Sequence, residues 1–260
     1  MIWLLTGCHG TTLGRCAATP GHLSCEHETT TLAGRDLHWQ IPEGTPPSSG
    51  WPTAWLFQGS LVPAGTFWSS VRPAPLGAHH QVELTAALLD AGYAVFTPEA
   101  AGEGLTCWNT NLPPWSSGWL DSPDAAMIEA MFDAVDRDTF GPLDPDALFA
   151  GGISSGGYMT SRLAVTYPER FAATAIASAS YATCAGLVCD VPSELSSDHP
   201  PTLFLHGQLD PVVPIATMWP YHDALERAGV AVESEIAPLG AHGWSGEAPE
   251  RILGWFDAAR

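Results

Sequence analysis

The chain contains no lysine. Its nine basic residues are all arginine, set against 28 Asp and Glu, so the formal net charge is −19 and the pI about 4.6. A surface of that sign repels phosphate backbones and anionic headgroups, which excludes nucleic acid and anionic membranes as natural partners and suits a neutral or apolar substrate. Long apolar runs are also missing: nowhere does the sequence offer the roughly eighteen apolar residues that a membrane-spanning helix needs. None of the six cysteines forms a Cys-x-x-Cys pair, which removes zinc knuckles and thioredoxin-type redox sites. Internal repeats are absent. No metal or organic cofactor is implied.

The cysteines that are present are spaced for something else. Cys16 with Cys25, and Cys184 with Cys189, lie close enough for short local disulfides of the kind formed in oxidising compartments; the alternative is small buried thiols. Leu5-Thr6-Gly7-Cys8 resembles the site at which bacterial lipoprotein signals are cut, which would place a lipid anchor on Cys8. The apolar run before it is too short for a whole signal. Residues 1–28 therefore read as an export or tether segment, and residues 29–260 as one catalytic domain of a secreted or cell-envelope protein.

Periodicity places strands at 29–33 and 36–41, a Pro/Gly/Ser loop at 42–52, and a strand at 53–57. A helix over 79–91 stops at Gly92, a strand follows at 93–97, and Ser122-Pro123-Asp124 opens another helix. Strands at 147–151, 171–179, 202–205 and 230–237 then alternate with helices ending at 167, covering 215–228, and closing the chain at 249–258. Strand–helix alternation of this kind predicts an α/β fold, a mostly parallel central sheet between two helical layers.

Gly152-Ile153-Ser154-Ser155-Gly156 falls between one of those strands and the next helix. A strand-to-helix turn that exposes a nucleophile is tight, and positions two before and two after must lack bulk. Glycines satisfy this around Ser154; around Ser155 the branched Ile153 would not. Ser154 is the expected nucleophile, and the backbone N–H of Ser155, at a helix start, is the expected oxyanion donor. A hydroxyl needs a base, and in this arrangement the acid and then the histidine follow in the chain. Asp210 and His242 occupy those places, both at C-terminal strand ends. His206 is the rival base, but it precedes the acid and reads as structural. The second oxyanion donor is expected from Gln58-Gly59-Ser60, with Ser60 preferred and Leu61 as the alternative. Of eleven tryptophans, Trp68, Trp108, Trp115, Trp119, Trp219 and Trp244 lie in loops or helix starts at this edge. They are candidates for an aromatic cleft binding substrate, against the alternative that each anchors a loop.

Residues 158–164 (Tyr-Met-Thr-Ser-Arg-Leu-Ala), 167–173 (Tyr-Pro-Glu-Arg-Phe-Ala-Ala) and 201–207, with Asp210-Pro211-Val212-Val213-Pro214, complete a wider pattern. Over about residues 53–258 the chain resembles extracellular polyhydroxyalkanoate depolymerases and related secreted polyester or feruloyl esterases of the α/β-hydrolase superfamily. The resemblance implies a serine carboxylic-ester hydrolase working through an acyl-enzyme, with its triad on Ser154, Asp210 and His242. Polyester or another bulky ester is the substrate implied, a feruloyl or acetyl-xylan ester the alternative, and a prolyl-oligopeptidase-like peptidase a more distant one. Gln58-Gly59 stands where such depolymerases often carry His-Gly, and no separate polymer-binding domain is evident in the sequence.

Overall fold

The computed structural model describes residues 11–101, 107–111, 113–184 and 188–260. Its centre is β6 (Trp51–Phe57), buried along its whole length. Residues alternate across it: Ala54 and Leu56 join one core cluster, Trp55 and Phe57 the other, as the two-residue period of a strand requires. A strand buried on both faces belongs in the middle of an α/β sheet. Eight strands form that sheet. Counting β1 (Thr11–Leu13), β2 (Cys16–Thr19), β3 (His22–Cys25), β4 (Glu28–Leu32), β5 (Arg35–Gln40), β7 (Ser69–Val71), β8 (Ala94–Pro98), β9 (Leu143–Ile153), β10 (Ala173–Ala177), β11 (Thr202–Gly207) and β12 (Val232–Ala237), the order is β12-β11-β10-β9-β6-β8-β5-β4. From β8 to β12 every pairing is parallel, and the β4–β5 hairpin continues the sheet antiparallel at one edge.

Helices cover both faces. On one, α1 (His79–Asp90) and α5 (Ala248–Asp257) contribute Val82, Leu88, Ile252 and Phe256 to a core with Leu56 and Phe149. On the other lie α2 (Pro123–Asp136) and α3 (Ser155–Thr166), with Met131, Phe132 and Met159 around Trp55. A third cluster packs α4 (Trp219–Ala228), through Tyr221 and Leu225, on Ile176 and Phe204. Ser122 caps α2 by accepting from the Ala125 N–H at 3.1 Å. No helix among the described residues is long and apolar enough to cross a membrane.

The N-terminal segment departs from its expected form. Its Gly, Thr and His content reads as an extended tether, but from Thr11 onward it is strand. β1, β2 and β3 form an antiparallel meander, β3 pairs with β7, and Cys16–Cys25 bridges β2 to β3. Short polar strands carry too weak a hydrophobic pattern to be read from the sequence; a disulfide and a distant partner strand make them stable. Cys8 and the residues around it lie outside the described residues. The Cys184–Cys189 bridge is also formed. Cys107 is half-buried and outside both bridges.

Beneath α4 sits a buried histidine. His199 donates from Nδ1 to the Pro200 carbonyl at 2.9 Å and accepts the Tyr221 hydroxyl at Nε2, 2.7 Å away. Burial holds its pKa down at about 4, with the Pro200 carbonyl opposing. The folded protein keeps this ring neutral where an unfolded chain would protonate it, below about pH 6.5. Its contribution to stability is therefore full above about pH 6.5 and is lost progressively as the pH falls toward about 4, by on the order of 3 kcal/mol. Urea melts across that range should show His199→Gln losing less stability in acid than the parent; parallel pH profiles would refute this.

Candidate active site

The end of β9 decides the geometry. Ser154 follows it with φ 52° and ψ −120°, a conformation that costs a non-glycine residue about 1–3 kcal/mol and persists only where packing enforces it. The packing is visible at the flanking glycines. A Cβ on Gly156 would lie 2.0 Å from the Phe57 carbonyl oxygen, and one on Gly152 would lie 2.4 Å from that of Gly156. The turn thus presses against the end of β6, and no larger residue fits at either place. Ser154 donates its backbone N–H to the Ala177 carbonyl at 2.9 Å, which ties the turn to β10 as well.

The acid and the histidine are brought together by the next two strands. A Cβ on Gly207 would lie 2.4 Å from the Gly240 carbonyl oxygen, so the loops after β11 and β12 run in direct contact. Leu209 donates its N–H to Gly240 O at 2.9 Å, in register with that contact. Asp210 Oδ1 accepts the backbone N–H groups of Val212 and Val213, both at 2.8 Å. Its Oδ2 accepts from His242 Nδ1 at 2.8 Å. With Nδ1 donating, Nε2 of His242 is left as the basic nitrogen, and His242 and Ser154 line one cavity. His206 occupies a different place. It donates from Nε2 to the Val213 carbonyl at 2.8 Å, under the Asp210 turn, and burial lowers its pKa.

Ser154 lies between two cavities. One, of about 530 Å³, is lined by Val62, Val71, Leu76, Ile153 and Trp244, and among the described residues no Asp, Glu or Arg borders it; its volume lies within the range of about 300–1,000 Å³ usual for small-molecule sites. The other, about 310 Å³, carries Trp108, Trp115, Asn109, Asn111 and Tyr158. Ser60 borders both. Of the six tryptophans expected at this edge, Trp244, Trp108 and Trp115 line these cavities, the first two largely buried, while Trp119 is buried and borders neither. Trp108 stacks edge-on against Phe57 and donates Nε1–H to Gln58 O at 3.1 Å. Trp68 is no cleft residue: it is fully buried, stacked by His27, and donates Nε1–H to Thr97 at 2.6 Å. Trp219 is partly exposed at the start of α4, edge-on to His222, and borders neither cavity. Spacing places an indole at the sheet edge, but packing decides whether it faces in or out.

Three polar supports were not legible in the sequence. Glu99, at the end of β8, accepts from Gln58 Nε2 at 3.3 Å and from the Ala64 N–H at 2.8 Å, and so clamps both ends of the loop holding Ser60. Burial pushes its pKa up, the Ala64 N–H opposing. Arg35 donates to the buried Asp124 at 2.7 Å, and the second Asp124 oxygen accepts the Asn109 N–H, fixing the segment beside Trp108. Ser155 Oγ accepts the Trp108 N–H at 2.9 Å. Two side-chain clusters have ligand atoms within 4.8 Å of one another, His79–His80–Glu83 and His222–Asp223–Glu226. Neither borders Ser154, and Glu83 is already engaged by Arg72 and His80.

This arrangement is that of an α/β-hydrolase. Solved structures agree: a carboxylesterase of Bacillus cereus superposes with TM-score 0.64 at 15% identity, over 87% of this chain and 95% of that one. An α/β-hydrolase enzyme from a Medee basin deep-sea metagenome library gives 0.62 at 17%, over 92% and 98%. The chain belongs to the phospholipase/carboxylesterase family, whose profile matches residues 124–254. Across nearly its whole length it is also 40% identical to a poly(3-hydroxyoctanoate) depolymerase of Pseudomonas fluorescens, covering 99% of this chain and 96% of that protein. It is a serine ester hydrolase.

The Glu99 clamp has a measurable consequence. In Glu99→Gln one of the two donors loses its acceptor, and the loop carrying Ser60 should loosen. With Ser60 as the expected oxyanion donor, we expect kcat to fall about tenfold with KM little changed, since a loosened donor weakens transition-state stabilisation rather than substrate affinity. A change confined to KM would show that Glu99 shapes only the binding cavity.

Proposed function

We propose that the protein is a secreted polyester hydrolase that cleaves chains of hydroxy acids bearing apolar side groups, through an acyl-enzyme. Ser154 attacks the ester carbonyl while His242 Nε2 takes its proton; Asp210 holds the ring by Nδ1 and stabilises the imidazolium. The oxyanion that develops is met by the backbone N–H groups of Ser155 and Ser60, the first at the start of α3 where the helix dipole favours negative charge. His242 returns its proton to the leaving alkoxide. It then deprotonates a water, which releases the acid from Ser154.

The observation that carries this reading is the pair of cavities meeting at Ser154. A polyester continues on both sides of its scissile bond, so its hydrolase needs room for an acyl unit and for an alcohol unit. The larger cavity is uncharged and mostly apolar, which suits an alkyl side group. The relative acting on poly(3-hydroxyoctanoate) supports a side group of several carbons. Secretion is supported by two disulfides, which persist in oxidising compartments.

Ser154→Ala should lose on the order of a million-fold in turnover while melting like the parent; an active Ser154→Ala beside an inactive Ser155→Ala would move the nucleophile by one residue. Ala74 borders the larger cavity in extended backbone. Ala74→Phe should therefore cut p-nitrophenyl octanoate hydrolysis about tenfold or more and spare the acetate. Equal losses on both esters would remove the cavity from substrate binding. Methyl ferulate cleaved faster than a poly(3-hydroxyoctanoate) film would replace the polyester reading with the feruloyl one.

A further inference from the structure

Around the cavities at Ser154 the sequence carries little charge, although the loop after β10 holds the exposed Asp190, Glu194 and Asp198. Segments 59–71, 73–82, 107–120, 211–222 and 236–246 contain no Asp, Glu, Lys or Arg, although 14% of the whole chain is charged. Three of these segments follow the C-terminal ends of β6, β11 and β12, and residues 107–111 border the smaller cavity. Segment 73–82 joins them because Trp244 donates its N–H to Leu76 O at 2.9 Å. Arg72, between the first two segments, pairs with Glu83 and lines a separate pocket with it, while Asp210, just before segment 211–222, is buried and hydrogen-bonded. Aliphatic side chains stand out in water on the same edge: Leu61, Val71, Leu76, Leu209, Val212 and Leu239, each more than half exposed and Leu239 at 88%. Val71 and Leu76 border the larger cavity and Val212 the smaller, so the exposed aliphatics continue the cavity walls outward.

We propose that this charge-free aliphatic rim is an adsorption surface, by which the enzyme lies on a water-insoluble, electrically neutral polyester with Ser154 facing the solid. The proposal rests on the polyester reading above. Exposed apolar side chains are ordinary when scattered; gathered around a site and cleared of charge they mark an interaction face. Charge and chemistry select the occupant. A solid polyester carries no ions to pair with, so any carboxylate or guanidinium on the contact face would be desolvated without compensation. In a chain of net charge −19, a face without charge is where a neutral solid can approach at no such cost. An anionic lipid surface would instead be repelled by the acidic flanks.

Leu239→Glu places a charge on the rim at a side chain that borders neither cavity; Leu239→Ser removes the apolar contact without adding one. Adsorption would be read as depletion of protein from solution by a poly(3-hydroxyoctanoate) latex. Activity would be read on the latex and on soluble p-nitrophenyl butyrate, with melting curves confirming the fold. We expect adsorption and latex hydrolysis to fall about tenfold or more in Leu239→Glu and less in Leu239→Ser, with the soluble ester unaffected. Variants that adsorb like the parent would overturn the rim while leaving the polyester reading intact. A parent that adsorbs through the rim without cutting the polymer would do the reverse, and one that does neither would overturn both. A concentration-dependent dimer in sedimentation, dissolved by Leu239→Glu, would assign the face to a second copy of the chain and overturn adsorption.

Discussion

Gly156 lies so close to the end of β6 that a single methyl group would overlap the Phe57 carbonyl. The rest of the site depends on that approach. It forces the chain to reverse from β9 into α3 within one residue, and the residue at the apex takes the positive φ that lifts its side chain clear of the sheet. The same contact sets β6 beside the turn, so the loop leaving β6 begins within van der Waals reach of Ser154: a Cβ on Gly59 would lie 3.6 Å from Ser154 Cβ. The turn carrying Ser154 and the loop carrying Ser60 are thus two consequences of one packing constraint. Strain of this kind needs rigid surroundings, and the site has them in β9, β10 and the hydrogen bond from Ser154 N to Ala177.

A second close approach does the equivalent work for the acid and the histidine. Gly207 against Gly240 brings two loops from adjacent parallel strands into contact, and backbone hydrogen bonds from Gln208 and Leu209 to the β12 side hold them there. Asp210 then accepts three hydrogen bonds, two from backbone N–H groups and one from His242. That satisfies a buried carboxylate with fixed donors and leaves it one geometry in which to meet the imidazole. His206, neutral and bonded to Val213 O, closes the turn from below.

Around this rigid centre the polar supports reach in from far along the chain. Glu99 holds the loop after β6 from the end of β8, and Arg35 on the edge hairpin neutralises Asp124, whose second oxygen fixes Asn109. Asp124 is fully buried and burial raises its pKa, so removing Arg35 would leave a carboxylate without its counter-ion in the interior. Charge inside the protein thus holds loops through these buried contacts.

The α/β order, the strand-to-helix turn at Ser154, and the succession of Asp210 and His242 were all legible in the sequence. They rest on local physics: strand and helix periods, and glycines where a turn admits no side chain. The strand of small residues expected at 171–179 narrowed to β10, and β9 runs longer than expected, because pairing and not composition sets strand ends. What the sequence could not decide depends on residues far apart along the chain. The N-terminal meander looked like a tether because its order comes from a disulfide and from β7, some 45 residues away. Trp68 and Trp244 have the same chemistry at the same edge, yet one is sealed under His27 and the other borders the cavity beside Ser154. A side chain's direction is settled by its neighbours in space. Residue type, spacing and order therefore determined which chemistry this chain carries, and only tertiary packing decided which loops are clamped, which indoles border the cavities at Ser154, and which aliphatic side chains meet solvent.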